Sequence, residues 1–404
     1  MVRDLKILFI CFLLFSCQKK STSQKLVQLI EENYANMVVN GETSKRAIFE
    51  KIKQFADQNE LNFDNYQALI HQMNDGHLTL RKKNQFAATS PLIFHPGSQL
   101  IKECAFCNPS IANGKYEIVA INGASREQYY DENKWNVSAS TDHGRFFRLI
   151  RSLQQVSLTI KAFDGRLIET VVPQSIPSQE SNPYCVQAAR IGKNIVYIQL
   201  NSFWCQSKMN PEEKRDVILQ RFTEQWLFAL KDIKSTDEIV LDVRENGGGG
   251  DAELNMVLSQ FLEGGLKLYQ YQYLKKTHPG LSKLFAGKGF APVETAILPK
   301  NPAILKNPLK LLISPGCFSS CDLLARILKR EKRALLIGEP THAGVGDPVV
   351  YTVADDVEVI IPTCIVSSLE GEPYEGVEVQ PDIFVTQELK DSGDTVLIKA
   401  STLK

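Results

Sequence analysis

The sequence of 404 residues has no excess of charge of either sign, because 46 lysine and arginine residues balance 46 aspartate and glutamate residues. Proteins that bind nucleic acid through its phosphates carry clustered basic residues and a basic excess. We therefore exclude nucleic acid as a partner. With 43% hydrophobic and 23% charged residues, the composition is that of a globular protein with enough apolar side chains for two or three domains.

The apolar run at the N-terminus is too short to span a bilayer, which takes about 20 residues. It covers residues 7–15 and follows Arg3 and Lys6. A positively charged start followed by a short apolar run is typical of a secretory signal. We therefore expect the protein to be exported.

The end of this run has the pattern of a lipid attachment site. Residues 14–17 read Leu-Phe-Ser-Cys and resemble a bacterial lipobox, in which a small residue precedes the cysteine that becomes lipidated. The resemblance implies a signal peptide over 1–16, a lipid on Cys17 and a polar tether over 17–24. The implied location is the bacterial cell envelope, on the periplasmic or outer-membrane side, with the lipid anchoring the protein to the membrane. An ordinary signal peptide cleaved at another position is the alternative.

Beyond this segment the sequence has few cysteines, and their number is odd. An exported protein can form disulfides, and an odd number leaves at least one cysteine free. Cys104 and Cys107 have the spacing of a redox motif, but loop residues surround them and such a motif needs a strand–helix setting. A local disulfide or two free thiols is the better interpretation. The seven cysteines are Cys104, Cys107, Cys185, Cys205, Cys317, Cys321 and Cys364.

The spacing of apolar residues changes along the chain. Residues 25–85 have a helical spacing that ends in an Asp-Gly-His turn, and residues 86–185 have short alternating runs typical of a small β-rich module. In residues 186–388, apolar strands alternate with helical segments, which predicts a mixed α/β layer structure. Residues 389–404 are a C-terminal tail. Within the β-rich module, EIVAINGAS resembles the strand and turn of PDZ domains, and a generic β module is the alternative.

Four consecutive glycines, residues 247–250, follow an apolar strand. A glycine run costs conformational entropy on folding, so we expect it where the backbone turns sharply and directs its N–H groups inward. No Gly-Lys-Ser/Thr follows, which excludes a phosphate-binding P-loop. An oxyanion hole made of backbone N–H groups is the other use, and a merely flexible loop is the alternative.

Two further turns present residues that could be catalytic. Ser319 lies where an apolar strand gives way to a helix, and the helix dipole would stabilise an oxyanion there. A serine before a helix is, however, commonly only an N-cap. The turn at residues 73–80 presents His77, and a single histidine in a turn is commonly a surface or capping residue. Neither motif indicates an enzyme by itself.

Together, these segments resemble the tail-specific (C-terminal processing) serine protease family. The segment EIVLDVRENGGGG resembles the family's D-L-R-x-N-x-G-G strand and loop, and CFSSCDLLARILKREKRALLIGEPT resembles its nucleophile helix and the strand that follows. YEGVEVQPDIFV resembles the closing G-V-x-P-D strand. NDGHLTL resembles the D-G-H-T turn of the branch that includes the tricorn core and the retinoid-binding-protein-like peptidases. The four segments follow the family order from Asp75 to Val385.

The resemblance implies both a fold and a set of roles. The catalytic domain would be a crotonase-like (ClpP-like) α/β spiral, preceded by the N-terminal helical segment and the PDZ-like module. Ser319 would be the nucleophile, and the backbone N–H groups of Gly247 or Gly248 and of Ser320 would bind the oxyanion.

Several positions support or depart from the family pattern. Asn246 matches the asparagine of the glycine loop, and Asp322 stands where the family has a longer glutamate; both are supporting residues. Cys317 and Cys321 flank the nucleophile and would form a short disulfide that shapes the loop. Branches with a Ser–Lys dyad carry a lysine in the segment that corresponds to residues 338–347, and this sequence has none there.

Without that lysine, a histidine is the natural base. We favour His77 over His342, because the tricorn-like branch pairs such a histidine with a distant serine and triads are set by geometry. We favour Glu375 over Asp75 as the acid that holds the imidazole.

The predicted function is that of an exported, lipid-anchored serine endopeptidase that cleaves unfolded or C-terminal segments of a peptide or protein substrate. No cofactor and no metal is expected, and the oligomeric state stays open. A catalytically silent peptide- or ligand-binding lipoprotein on the same fold is the alternative. A thiol–disulfide exchanger using Cys104 and Cys107 is a third hypothesis, which lacks the right fold context.

Overall fold

The computed structural model describes most of the chain. The described residues are 21–37, 43–83, 111–112, 116–153, 156–162, 165–171, 184–206, 213–275, 289–301, 304–386 and 394–403. The predictions for the signal peptide, for the lipid on Cys17 and for the Cys104–Cys107 pair lie outside these residues.

Helices and strands alternate through much of the described chain. The helices are α1 (Thr22–Asn33), α2 (Thr43–Gln58), α3 (Phe63–His71), α4 (Arg126–Asn133), α5 (Asp142–Arg151), α6 (Arg215–Leu230), α7 (Asp251–Ser259), α8 (Ser320–Arg330) and α9 (Thr395–Thr402). The strands are β1 (Thr79–Lys82), β2 (Ile111–Ala112), β3 (Tyr116–Ile121), β4 (Ala124–Ser125), β5 (Ser157–Ala162), β6 (Leu167–Val171), β7 (Val186–Ile191), β8 (Ile195–Leu200), β9 (Glu238–Asp242), β10 (Lys267–Tyr273), β11 (Glu294–Ile297), β12 (Leu309–Ile313), β13 (Leu335–Gly338), β14 (Pro348–Thr352), β15 (Val357–Pro362), β16 (Cys364–Ser367) and β17 (Ile383–Phe384).

The central sheet has six strands in the order β17-β13-β12-β9-β8-β7. All neighbouring pairs are parallel except β7 and β8, which are antiparallel. Every residue of β12 is buried, as expected for a parallel strand covered on both faces. The predicted mixed α/β structure is therefore confirmed.

Helices cover both faces of this sheet. On one face, Phe222 and Trp226 of α6 and Leu324 of α8 are fully buried in one cluster with Leu241 of β9. On the opposite face, α9 packs against the sheet, so the segment expected to be a C-terminal tail contributes a helix to the core. The carboxyl ends of β9 and β12 lie side by side, and the loops that follow them meet at one edge.

The N-terminal helices pack on a hairpin near the other end of the chain. Strand β1 pairs with β15, and β15 pairs with β14, to form a three-stranded antiparallel sheet. Apolar residues of α1, α2 and α3 form one core cluster with this sheet. Asn62 is the N-cap of α3, since its side chain accepts a hydrogen bond from the N–H of Asn65 (3.1 Å). The His77 turn lies between α3 and β1, and this packing fixes its position.

The described part of the β-rich module has an antiparallel sheet in the order β2-β3-β5-β6, with β4 paired to β3. Strands β5 and β6 pair antiparallel, in agreement with the predicted short β runs. The module also contains helices α4 and α5, which the alternating pattern did not predict.

In the described part of the chain, two disulfides join four of the cysteines. They are Cys185–Cys205 and Cys317–Cys321, and the second has a Cα–Cα distance of 5.3 Å. Cys364 is free and buried. Across the described ranges, no helix combines the length and the apolar character needed to cross a membrane.

Candidate active site

Ser319 lies on a strained turn between β12 and α8. Its backbone angles are φ 59° and ψ −123°, a region that residues other than glycine rarely adopt and that is typical of functional sites. Its N–H donates to the carbonyl oxygen of Gly344 (2.9 Å), and its own carbonyl oxygen accepts from the N–H of Leu323 (3.1 Å). A serine on such a strand-to-helix turn presents its hydroxyl at the edge of the sheet, as nucleophiles of serine hydrolases do.

The neighbouring serines differ in what their hydroxyls do. Ser319 precedes the first residue of α8, but its side chain makes no capping hydrogen bond. The N-cap role that sequence alone favoured is therefore not seen. Ser320 is buried, and its Oγ donates to the carbonyl oxygen of Gly249 (2.8 Å). Of the two, Ser319 has the hydroxyl that remains available for reaction.

The glycine loop packs directly against this turn. At Gly248, φ is 94°, and an added Cβ would lie 2.6 Å from the Cβ of Ser319 and 2.7 Å from the carbonyl oxygen of Phe318. The Phe318 N–H donates to the carbonyl oxygen of Asn246 (3.1 Å), which ties the two loops together. Glycine is required at 248 because no side chain fits in this contact.

The predicted oxyanion donors are not equivalent. The N–H of Gly248 already donates to Oδ1 of the buried Asn246 (2.8 Å). In the described part of the chain, the N–H groups of Gly247 and Ser320 have no acceptor. These two remain available to bind an oxyanion, while Asn246 and Gly248 hold the loop in shape.

The turn after α3 brings His77 next to two carboxylates. Asp75, His77 and Glu375 lie close together. One side-chain nitrogen or carboxylate oxygen from each residue lies within 4.8 Å of those from the other two. Nδ1 of His77 is buried and has no hydrogen-bond partner, and hydrogen bonds of catalytic histidines often tighten only when substrate binds. The same three residues would be the candidate ligands if a metal ion were bound in the described part of the chain.

Burial keeps His77 neutral at rest. Loss of solvent lowers the pKa of His77 to about 4, although the nearby Asp75 opposes this shift. A neutral imidazole is the form that can accept a proton. Burial and the charge of Asp75 raise the pKa of Glu375 well above its ordinary value. The raised pKa favours the protonated form of Glu375, and a positive charge that develops on His77 would favour its ionised form.

Hydrogen bonds hold both carboxylates in place. Glu375 accepts from the hydroxyl of Ser140 (2.6 Å) and from the N–H of Val345 (2.9 Å). Asp75 accepts at Oδ2 from Tyr34 (3.0 Å) and Asn36 (2.9 Å), and at Oδ1 from the His77 N–H (3.0 Å). The oxygens of Asp75 are thus largely used for internal bonds that shape the turn.

His342, the competing histidine, lies beneath the nucleophile loop. Its Nδ1 bonds to the carbonyl oxygen of Pro315 (3.2 Å), and its N–H donates to the carbonyl oxygen of Cys317 (3.1 Å). The side chain is fully buried, and burial lowers its pKa well below the ordinary value. A backbone carbonyl, rather than a carboxylate, holds this ring, which is the setting of a structural histidine.

Phe318 joins the serine turn to both histidines. Its ring stacks on His77 with a centroid separation of 4.3 Å and meets the edge of His342 at 4.9 Å. The guanidinium of Arg148 lies 4.4 Å from the same ring. Because Phe318 directly precedes Ser319, this stacking places His77 in the immediate neighbourhood of the nucleophile turn.

Asp322 supports the Ser319 turn from inside α8. One oxygen accepts from the Thr341 hydroxyl (2.5 Å) and the Ala343 N–H (3.0 Å), and the other accepts from Arg326 (2.9 Å). Burial raises its pKa, and these partners act in the opposite direction. The segment held by Asp322 contains Gly344, the acceptor for the Ser319 N–H, so this carboxylate positions the nucleophile indirectly.

Sequence reasoning missed the residues that surround His77. Ser140 bridges Glu375 and the N–H of Gly76 (3.0 Å), and Arg148 donates to the carbonyl oxygen of Gly76 (3.0 Å). Both come from the β-rich module, and neither belongs to a recognisable motif.

Residues 194–385 match the model of Peptidase family S41. The matched segment contains the glycine loop, the serine turn and Glu375, whereas His77 precedes it. The fold is similar to that of mature CPAF, with a TM-score of 0.62 and 13% identity over 92% of this chain and 94% of that chain. It is also similar to a photosystem II D1 C-terminal processing protease, with a TM-score of 0.52 and 16% identity over 92% of this chain and 94% of that chain. At such identities the two structures demonstrate likeness of fold.

Proposed function

We propose that this chain, a serine-type peptidase whose residues 194–385 match the model of Peptidase family S41, is an exported, lipid-anchored endopeptidase that uses a Ser–His mechanism. The observation that carries this proposal is the strained, uncapped Ser319 between the glycine loop and the His77 turn. The proposed catalytic group is Ser319, His77 and Glu375.

In the first step, Oγ of Ser319 attacks the carbonyl carbon of the scissile peptide bond while its proton passes to the imidazole of His77. The peptide C–N bond then breaks as His77 returns the proton to the departing amine. Water hydrolyses the resulting acyl-Ser319 with His77 again acting as base. The order of events needs a neutral histidine at rest, and the low pKa of His77 supports it.

Two neighbouring groups stabilise the charges that form in this step. The carboxylate of Glu375 lies beside the imidazolium and is held there by Ser140 and Val345. The free N–H groups of Gly247 and Ser320 receive the oxyanion. Removing one such donor from a serine protease typically lowers kcat by about 10²- to 10³-fold.

The proposed substrates are unfolded or C-terminal segments of proteins. One protein of similar fold is named for C-terminal processing of photosystem II D1, and this supports the same substrate class here. We further propose that residues 186–388 form a crotonase-like catalytic domain, that residues 86–185 form a PDZ-like module, and that the helical segment 25–85 completes the site by supplying His77. The mixed sheet and the strand–turn at β3–β4 support these two fold assignments.

Labelling with a fluorophosphonate probe tests the nucleophile. The wild type should be labelled, and Ser319→Ala should lose labelling and about 10⁴- to 10⁶-fold of its peptidase turnover. Ser320→Ala is the matched control, because it removes a hydroxyl that is already bound to Gly249. If Ser320→Ala loses labelling and Ser319→Ala keeps it, the nucleophile is assigned one residue too early. A wild type that is neither labelled nor active would favour the alternative of a silent peptide-binding lipoprotein.

The base is tested with the two histidine variants. His77→Ala should abolish acylation with little effect on folding, whereas His342→Ala should mainly lower stability because that ring fills the space beneath the nucleophile loop. Rates of fluorophosphonate labelling and thermal unfolding are measured for both. If only His342→Ala abolishes acylation in folded protein, the assignment of His77 fails.

Lipid anchoring is tested at Cys17. Mass spectrometry of the protein from membranes should find a lipidated N-terminal Cys17, and Cys17→Ser should release the protein from the membrane fraction. An unmodified N-terminus at another residue would contradict this part of the proposal.

A further inference from the structure

An ion pair connects the glycine loop to the last helix of the chain. Arg244, two residues after β9, donates to both carboxylate oxygens of Asp394, with Nη1–Oδ1 at 2.9 Å and Nη2–Oδ2 at 2.5 Å. The two side chains are only 13% and 21% exposed. A bidentate pair of this kind fixes orientation as well as distance.

Arg244 also bonds to residues at the start of the glycine loop and at the start of the loop that leads to Ser319. Its guanidinium donates to Asp242 at the end of β9 (2.9 and 2.6 Å), and its own carbonyl oxygen accepts from the hydroxyl of Ser314 (2.5 Å). Ser314 begins the loop that leads to Ser319. A change in the position of Arg244 therefore moves the start of the glycine loop and the start of the nucleophile loop together.

Helix α9 is held at its N-terminal end by Arg244, just after β9, and at its C-terminal end by Lys310 of β12. Asp394 is its N-cap and accepts from the N–H of Leu397 (3.0 Å). At the other end, Nζ of Lys310 in β12 donates to the carbonyl oxygens of Ala400 (2.8 Å) and Leu403 (2.6 Å). The helix therefore packs against β9 and β12. Its N-terminal contact, between Asp394 and Arg244, is the one close to the glycine loop and to the loop that leads to Ser319.

We propose that Asp394 is a positioning residue for the oxyanion hole, acting through Arg244. The inference rests on the proposed function and adds a residue that lies outside the segment matching the family. If asparagine replaced Asp394, Oδ1 could still accept from Nη1 of Arg244 and from the Leu397 N–H, but Nη2 would face an amide NH2 group in place of Oδ2. The guanidinium would then turn towards solvent or towards Asp242. Either movement displaces the carbonyl bound by Ser314 and misaligns the N–H groups of the loop.

The variant Asp394→Asn tests this role, because asparagine is also a good N-cap and keeps the bond to Leu397 while removing the charge. The measurements are the maximal rate of fluorophosphonate acylation, the probe concentration at half-maximal rate, and the melting temperature. We expect the maximal rate to fall by about 10- to 100-fold, since displacement of a catalytic group by about 1 Å costs up to 10²-fold. The half-saturating concentration should change by less than about threefold.

Asp237→Asn is the matched control. Asp237 forms a comparable bidentate pair with Arg190 (2.8 and 3.0 Å) and accepts from a backbone N–H (2.7 Å), but it lies at the opposite end of β9. It should leave the maximal rate within about twofold of the wild type. Asp394→Glu keeps the charge and should recover at least half of the lost rate, and it serves as the second variant if Asp394→Asn does not fold.

Three results would overturn the proposal. They are an unchanged maximal rate in folded Asp394→Asn, an equal loss in Asp237→Asn, and a rate for Asp394→Glu as low as that of Asp394→Asn. Failure of the proposed function is distinguishable, because it appears as labelling of Ser319→Ala, whatever the Asp394 variants do.

Discussion

Replacing Gly248 with alanine should disable the enzyme without unfolding it. The added Cβ would lie 2.6 Å from the Cβ of Ser319, 2.7 Å from the carbonyl oxygen of Phe318 and 3.1 Å from the N of Ser320. Carbon atoms in contact are normally about 3.5 to 4.0 Å apart, so the glycine loop must retreat by about 1 Å. Because two of these contacts are backbone atoms and the third is the Cβ of Ser319, no flexible side chain can absorb the shift.

The expected loss of activity follows from that displacement. A misplacement of about 1 Å costs up to 10²-fold in rate, and loss of one oxyanion donor costs about 10²- to 10³-fold. We therefore expect kcat on an internally quenched peptide to fall by about 10²- to 10³-fold, with a much smaller change in KM. The positive φ of 94° at this position adds a folding cost of about 1 to 2 kcal/mol.

Gly265→Ala separates backbone strain from the steric contact. Gly265 has φ 88°, close to that of Gly248, but no heavy atom lies within 4 Å of its added Cβ. Both variants should lose similar stability in urea unfolding, and only Gly248→Ala should lose activity. If Gly248→Ala keeps kcat within about threefold of the wild type, the glycine loop does not contact the nucleophile as described. If Gly265→Ala loses as much activity, general destabilisation is the cause.

Three further outcomes follow from the buried ionisable groups. The pKa of His77 is lowered to about 4, so kcat/KM should fall with decreasing pH only near pH 4. A fall of kcat/KM with a midpoint near pH 6.5 in the wild type would contradict His77 as the base. Burial also lowers the pKa of His71 to about 4, and the unfolded state therefore binds more protons below pH 6.5. Urea unfolding should show stability falling between about pH 6.5 and 4, by up to about 3 kcal/mol for each histidine, and an unchanged stability at pH 4.5 would refute this. Asp322→Asn should lower the free energy of unfolding by about 3 kcal/mol, because it leaves Arg326 without its buried partner. It should also lower kcat, because Gly344 would no longer hold the Ser319 N–H in place. Full activity of this variant would show that Asp322 does not position Ser319.

Much of the fold could be predicted from local patterns. Strand β12 is buried along its whole length and is apolar except for Lys310, and the α/β alternation follows from such segments. The helices of the β-rich module were not predicted, because the amphipathic pattern of α5 is short and lies among alternating segments. Helix α9 was missed because a segment of eight residues gives little periodicity, and its docking depends on Lys310 and Arg244, which come from distant strands.

The candidate site, like the fold, could be predicted from the sequence only in part. The glycine loop and Ser319 could be located because each follows one apolar strand directly, and adjacent parallel strands bring their carboxyl ends together. Which backbone N–H groups remain free could not be predicted, since the bond from Gly248 to Asn246 depends on the three-dimensional course of the loop. The sequence also could not predict that Ser140 would hold Glu375, because the two are 235 residues apart.

The sequence by itself determined which candidate catalytic segments this protein has. They are a glycine run after one buried strand, a serine between a second buried strand and a helix, and a turn that carries a histidine. These are local features, because apolar runs, glycine and helix-starting residues act on their own segment of backbone. Only the tertiary structure decided how they meet. Strand β1 pairs with β15, so that Arg81 bonds to Glu358 across 277 residues of sequence. This pairing brings His77, rather than His342, beside carboxylates, and no local propensity encodes such a distant contact.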